Sequence, residues 1–522
     1  MANFIALLWV AFILAASVFF SSTALLELVQ RKKLKFDKGL FLSLSACLLG
    51  LFLCLSIRPA FYRVYHDELA YISQSVNILS RGKPDILLKG SRFRPEALAP
   101  FTADAKLPGF AWLNAIALFL TKDFRHSGFV LNLILGTLCI AVMHRIVWSL
   151  TSSQIMAWWA AVFLACLPAR ITYAMSADCD IAGMFFFLLF LLFIIEYQQT
   201  ISRRIFYASV FCGVYSVCIK PFYAAFVVLI LAGALNFYRR QGSLDKKFHS
   251  RILVDIFCLF LPVLSALVCI LLFYRNASSY WSFLFIPKNI FTSLLYLFDP
   301  YQNTLLMTLA ALVGMTYGLF KNDLLAQTLS RWFIIALAVL SMFCAGGICY
   351  PGQGYSDRYF LPLSIPLIFL AARGVAVFLT MTSSRYFLGG LFGMALVLNA
   401  FLASHHLTQE AKDGFHYQKG LILKEVFPYV PNDAYMLDAC AAVITTMSSR
   451  RAIQTKLFLD GDHPSKIVYL QGIADDLYNS DDPRNMALVK QILHAQYRCR
   501  ALTASPIREG RLSATPFLCT KK

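Results

Sequence analysis

Apolar residues run almost unbroken over 4–27, 39–57, 127–149, 252–273 and 359–380, and polar residues gather in the stretches between them. A helical bilayer crossing needs ~20 mostly apolar residues. Further runs near 155–174, 181–198, 204–219, 222–238, 303–320, 331–348 and 386–404 bring the number to about 12. Only helices or a closed barrel satisfy the backbone in lipid, and runs this long and continuous mean helices. The pattern therefore predicts an α-helical polytopic membrane protein over 1–404. The segment 405–522 reads differently. AYMLDAC and KIVYLQG have the length and composition of short strands, and PRNMALVKQILHAQYR reads as a helix with Asp482 as N-cap and Pro483 in its first turn. A small α/β extramembrane C-terminal domain is expected there.

Composition agrees with the pattern. Of 522 residues 59% are hydrophobic and 14% charged, against roughly 25% charged in an ordinary soluble domain. The net charge of +19 would suit a nucleic-acid binder, but the basic residues cluster in short loops such as RKKLKFDK (31–38) and RRQGSLDKKFHSR (239–251). The positive-inside rule accounts for that distribution, so no nucleic-acid partner is expected. The first run lacks basic residues before it and a small-residue cleavage site after it, and reads as a retained span. Most of the 14 cysteines lie in apolar runs and read as small buried hydrophobes. Cys499 and Cys519 lie in the polar segment, where a disulfide forms if that segment faces an oxidising compartment.

Basic loops placed on the cytoplasmic side fix the topology. With 31–38 inside, the span 39–57 delivers 58–106 to the outside, and His144 and Arg145 must be reached by a single crossing. The run LPGFAWLNAIALFL (107–120) is then not a crossing, and its length suits an interfacial or re-entrant helix. The loop 58–120 thus carries juxtamembrane helices, and both termini lie outside.

Several residues on the outer side can carry chemistry. In HDELAYISQSVNILSRG (66–82), Leu69, Ile72, Val76 and Leu79 recur at helical spacing, which predicts an amphipathic helix along the membrane surface. Asp67 and Glu68 stand at its N-terminus. Two readings hold: Asp67 caps the helix and Glu68 complements its dipole, or Asp67 is a general base for an acceptor hydroxyl. Lys106, in DAKLPGFAW, either meets a phosphate at headgroup level or simply snorkels. Asp178 and Asp180, in TYAMSADCDIAGMFFF, sit at a junction between spans, where ionisable groups are expensive without a partner or a task; Asp180 also suits an N-cap. Lys220, in VCIKPFYAAF, and Arg358, in GYSDRYFLPLSIP, are cations suited to phosphate oxygens, although Asp357 can pair with Arg358.

In this order, the segments HDELAYIS, KLPGFAWLNAIALFL, SADCDIAGMFF, IKPF and DRYFLPLSIP resemble the polytopic GT-C glycosyltransferases, in the protein mannosyltransferase-like branch that includes the lipid A aminoarabinose transferases. The resemblance covers about residues 40–380. It implies inverting transfer of a sugar from a polyprenyl-phosphate donor to a lipid, glycan or protein acceptor on the outer face of a bacterial inner membrane, in cell-envelope or lipopolysaccharide chemistry. By that analogy Asp67 is the base, Asp180 orients sugar or acceptor, and Lys106 and Arg358 hold the carrier phosphate. Glu68, Tyr71, Asp178, Lys220 and Tyr359 complete the substrate-binding set. The chain departs from the family in an additional N-terminal span, in Lys106-Leu107-Pro108 for lysine-proline-proline, and in two aspartates competing for one position. No cofactor is expected; the paired carboxylates allow a divalent metal without favouring one. The rival reading is a transporter or flippase for lipid-linked sugars, but no repeated halves are visible and the acidic residues lie at span ends rather than at midplane.

Overall fold

A computed structural model describes residues 2–32, 38–56, 65–83, 85–91, 94–99, 108–123, 126–200, 202–220, 223–224, 226–231, 260–265, 281–282, 304–342, 344–345, 361–381, 383–413, 415–438, 441–448, 450–472, 483–509 and 512–522. The first helices are α1 (Ala2–Lys32) and α2 (Lys38–Ser56). The segment between α2 and the next long helix forms α3 (Tyr65–Arg81), the strands β1 (Ile86–Ser91) and β2 (Arg94–Ala99), and α4 (Pro108–Thr121). The bundle continues with α5 (Ser127–Thr151), α6 (Gln154–Ala165), α7 (Pro168–Ala174), α8 (Asp180–Thr200) and α9 (Arg203–Ile219). After a two-residue strand β3 (Trp281–Ser282) come α10 (Leu305–Phe320), α11 (Leu324–Met342), β4 (Cys344–Ala345), α12 (Leu361–Met381) and α13 (Arg385–Asp413).

Among the described residues six helices are long and apolar enough to cross a membrane, and a seventh crossing results if α6 and α7 form one span. The chain is a multi-pass membrane protein. Helices α6 and α7 meet at 60°, and the cause is Pro168 at the first position of α7, which has no N–H to continue the ladder. The guanidinium of Arg170, fully buried, bridges the break: Nη2 donates to the Ala165 carbonyl at 2.8 Å and to the Gly50 carbonyl of α2 at 3.2 Å. Further on, α10 and α12 cross at backbone contact. A Cβ on Gly314 would fall 1.9 Å from the Leu370 carbonyl, and one on Gly374 would fall 1.9 Å from that of Ala310. Small residues bring helix backbones together in this way where packing, not water, drives association.

The C-terminal part comprises α14 (Phe415–Val426), β5 (Tyr435–Asp438), α15 (Ala441–Met447), β6 (Arg451–Gln454), α16 (Thr455–Leu459), β7 (Lys466–Gln471), α17 (Pro483–Gln496), β8 (Tyr497–Ala501), β9 (Ile507–Glu509) and β10 (Leu512–Lys521). Its strands β5 and β7 and helix α17 fall on the three segments expected from sequence; Asp482 lies outside the described residues. Helix α13 runs on past residue 404 into this part of the chain. The sheet order is β2-β1-β6-β5-β7-β10-β8, with β9 beside β10. The centre, β6-β5-β7, is parallel and the flanks are antiparallel. Strand β5 is buried on both faces, as parallel strands between helical layers are. The Cys499–Cys519 disulfide joins directly opposed residues of β8 and β10.

Two strands of this sheet come from the segment between α2 and α5. The β1–β2 hairpin pairs with β6 through Lys89 and Gly90. Polar contacts clamp it: Glu96 takes the Arg451 guanidinium and the Tyr435 hydroxyl, the latter at 2.6 Å, and Lys89 reaches Asp462 at 2.8 Å. Burial and the neighbouring Glu96 carboxylate push the Tyr435 phenol up from its ordinary value.

Helix α3 lies between bundle and sheet. Leu69, Ala70 and Ile72 share a core with Ile422, Met436, Ile444 and Val468 of the sheet domain, together with Phe129 and Ala177 of the bundle. Tyr71 and Ile78 belong to the core of the bundle. The amphipathic pattern predicted a helix on the membrane surface with a wet polar side. Instead Glu68, Gln74, Ser75 and Asn77 are buried: Glu68 meets the Ala177 N–H and Ser75 the Ala111 carbonyl of α4, while the sheet domain covers Leu69, Ala70 and Ile72.

Candidate functional site

The junction between α7 and α8, residues 175–179, is where elements from four parts of the chain meet. Asn132, one turn into α5, holds it from below: its Nδ2 donates to the carbonyls of Ser176 at 2.7 Å and Asp178 at 2.6 Å. Gly128 allows α5 this close, since a Cβ there would come within 2.8 Å of the Ala177 methyl. Within the junction, Ser176 Oγ accepts from the Asp178 N–H at 3.1 Å and Asp178 Oδ1 from the Cys179 N–H at 2.6 Å. Backbone groups that would otherwise be unpaired at the start of α8 are thus satisfied locally.

Glu68 of α3 reaches the junction from the segment between α2 and α5. It is fully buried, and its Oε1 accepts from the Ala177 N–H at 3.3 Å. One turn further along, Tyr71 hydrogen-bonds the Cys179 thiol and packs edge-on against Phe110 of α4, with ring centroids 5.2 Å apart. A polar chain ties these helices together. Ser75 Oγ donates to the Ala111 carbonyl at 3.0 Å, Asn114 Nδ2 donates to Ser75 Oγ at 3.1 Å, and Ser127 Oγ donates to Asn114 Oδ1 at 3.0 Å. The beginning of α4 is held at the same place from the other side. Tyr215 of α9 donates to the Gly109 carbonyl at 2.8 Å, and a Cβ on Gly109 would lie 2.6 Å from the Cys218 carbonyl. Helix α4 therefore starts beside the end of α9, and α5 starts beside the middle of α4.

Lys220 follows α9 directly. Its ammonium bonds Asp180 Oδ1, and both side chains are almost wholly buried. Asp180, the first residue of α8, thus carries a buried ion pair at the helix start. Asp178, Cys179 and Asp180 offer three ligand atoms within 4.8 Å of one another. Tyr223 lies beside Asp180 and stacks at a tilt on Phe187, 4.9 Å between centroids.

Of the residues singled out from sequence, Glu68, Tyr71, Asp178, Asp180 and Lys220 come together at this junction. For Asp67 the structure describes its place in the first turn of α3, next to Glu68, and not its side chain. Lys106, Arg358 and Tyr359 lie outside the described residues. The sequence reading passed over Asn132, Asn114 and Ser75. The available signal was an amide or hydroxyl within an otherwise apolar run, as in FVLNLILG, where a polar side chain is costly unless it has a partner.

The arrangement places acidic groups and one ammonium in a dehydrated setting, where charges interact far more strongly than in water. No protein-family model matches the chain. No curated protein matches it either. Solved structures do. The crystal structure of ArnT from Cupriavidus metallidurans bound to undecaprenyl phosphate is 12% identical and matches 92% of this chain and 98% of that one, with a TM-score of 0.55. The Archaeoglobus fulgidus oligosaccharyltransferase in complex with Zn and sulfate is 12% identical, covering 82% of this chain and 68% of the other at a TM-score of 0.49. AglB from the same organism, in complex with an inhibitory peptide and a dolichol-phosphate, is 13% identical over 83% and 69% at 0.48. The ArnT match spans bundle and sheet domain alike, and the chain has the fold of that structure.

Proposed function

We propose that the chain is an inverting glycosyltransferase that moves a sugar from a polyprenyl-phosphate carrier to a lipid, glycan or protein acceptor on the outer face of a bacterial inner membrane. The observation that carries this reading is the Glu68–Ala177 contact. It brings the acidic N-terminus of α3 against the Asp178–Asp180 junction, beside Lys220. The ArnT structure that shares the fold was determined with undecaprenyl phosphate bound, which supports a carrier of that class here.

In the proposed reaction Asp67 takes the proton of an acceptor hydroxyl as the oxygen attacks the anomeric carbon. The bond from that carbon to the phosphate oxygen breaks, and the carrier phosphate leaves as an anion, neutralised by Lys106 and Arg358. Glu68, Tyr71, Asp178, Lys220 and Tyr359 form and hold the cavity, and Asp180 orients the sugar or acceptor. Two further observations favour the outer face. The start of α4 beside the end of α9 and the start of α5 beside α4 suit a re-entrant α4, which keeps Asp67, Asp180 and Lys220 on one side. The disulfide in the sheet domain suits a periplasmic, oxidising compartment.

The test is transfer in liposomes that contain purified protein, a radiolabelled polyprenyl-phosphate sugar and candidate acceptors. Asp67→Asn is expected to bind the carrier and to lose transfer by about 10²–10⁴-fold. Undiminished transfer by that variant removes Asp67 as base. The broken span α6–α7 is the feature a transporter would use; label that crosses the bilayer without being transferred would favour that reading.

A further inference from the structure

The carboxylates Asp178 and Asp180 flank a thiol, and the three ligand atoms lie close enough to surround one ion. Two carboxylates and a sulfur are a donor set that accepts Zn²⁺ or Mn²⁺. A different element has already put a cation there. The Lys220 ammonium, delivered by the end of α9, bonds Asp180 Oδ1 and acts electrostatically on the Cys179 thiol as well. Lysine and aspartate are both buried, so water does not screen the ammonium from an ion placed beside it. The backbone fixes this arrangement: Asn132 holds the Asp178 carbonyl, and Gly183 accommodates Tyr223, whose ring edge would stand 3.0 Å from a Cβ. Withdrawal of Lys220 to solvent would break a buried ion pair with Asp180.

We propose that the Lys220 ammonium is the resident cation of this site. It occupies the place in the Asp178–Cys179–Asp180 cluster that a divalent metal would otherwise take, and the site works on a charge carried by the protein. The proposal deepens the transferase reading and rests on it for the catalytic consequence, while its metal-binding consequence stands apart from any activity.

The experiment is metal titration of the purified full chain with Mn²⁺, read by electron paramagnetic resonance, and with Zn²⁺, read by equilibrium dialysis and mass spectrometry. Wild type and Lys220→Arg, which keep the positive charge, are expected to hold less than 0.1 equivalent at ~100 µM free metal. Lys220→Met is expected to bind one equivalent at least tenfold more tightly, and Lys220→Met/Asp178→Asn to lose it again. Size-exclusion profiles and far-UV spectra establish that each variant is folded. Tight stoichiometric metal in the wild type overturns the proposal, as does equal binding by wild type and Lys220→Met or binding by neither. In the liposome assay, wild-type transfer is expected to survive dialysis against EDTA. A chain that transfers no sugar under any condition counts against the transferase reading, and the metal titration still decides the role of Lys220.

Discussion

The Asp180–Lys220 pair allows a quantitative test of how the junction is held. At the ~3 Å separation of a charge-assisted hydrogen bond, two unit charges attract by about 5 kcal/mol at an effective dielectric constant of 20. Both groups are desolvated, Asp180 being 2% and Lys220 7% exposed, so that attraction largely replaces hydration already lost. Removing one partner strips a buried charge of its ion pair, which costs about 3–5 kcal/mol. Removing both abolishes attraction and desolvation penalty together. Asp180→Asn and Lys220→Met should thus each destabilise by ~3 kcal/mol, and the double variant by at least ~2 kcal/mol less than the sum. The measurement is equilibrium unfolding in dodecyl maltoside micelles titrated with sodium dodecyl sulfate, with chelator present so that a metal cannot stand in for the missing ammonium. Additivity within ~0.5 kcal/mol is what independent sites show, and would refute the claim that these side chains depend on each other.

Three further outcomes are expected. Gln74 is fully buried in α3, and among the described residues neither its Oε1 nor its Nε2 meets a hydrogen-bond partner. Gln74→Leu should therefore stabilise the protein by ~1–3 kcal/mol in the same unfolding assay, and a loss of stability would show that the amide is satisfied. Gly374→Ala should destabilise by ~1–3 kcal/mol or more, because its methyl meets the Ala310 carbonyl at the α10–α12 crossing. Adding Gly314→Ala should cost less than it does alone, since the helices are then already apart. Arg170→Met removes the bridge across the α6–α7 break and should lower transfer about tenfold or more through a shifted junction. Wild-type transfer by Arg170→Met would show that Pro168 sets the bend by itself.

Sequence pattern captures what is local. Among the described residues the apolar runs locate the long helices, because a span must be apolar along its own length; the runs 222–238 and 252–273 lie mostly outside those residues. The acidic pairs Asp67-Glu68 and Asp178/Asp180 stand out as charges at span ends. Partnerships between distant segments leave no such mark. Nothing in ILLKGS announces a strand whose neighbour in the sheet is Arg451–Gln454, more than 350 residues later. Lys220 reads as a cation for phosphate until the fold sets it on Asp180. The amphipathic period of α3 is correct as a pattern, but period alone does not say whether a polar side faces water or a second layer of protein. Gln74, Ser75 and Asn77 face protein, and Ser75 then has a task, linking α3 to α4 and, through Asn114, to α5.

The order of elements between α2 and α5 has a mechanical consequence. Asp67 and Glu68 begin α3, and four residues after α3 ends β1 begins, on the outer edge of the parallel strands. One contiguous segment is thus gripped at one end by the junction, through Glu68 and Ala177, and at the other by β6, through Lys89 and Gly90. Leu69, Ala70 and Ile72 pack between the two grips. A shift of the sheet domain relative to the bundle cannot leave α3 behind without opening a buried apolar core, at roughly 25 cal/mol for each Å² exposed. Nor can it leave the hairpin without parting Glu96 from Arg451 and Tyr435. Movement of the domain is therefore coupled to the position of the acidic turn of α3, and the covering layer governs the placement of the groups at which a hydroxyl would be activated.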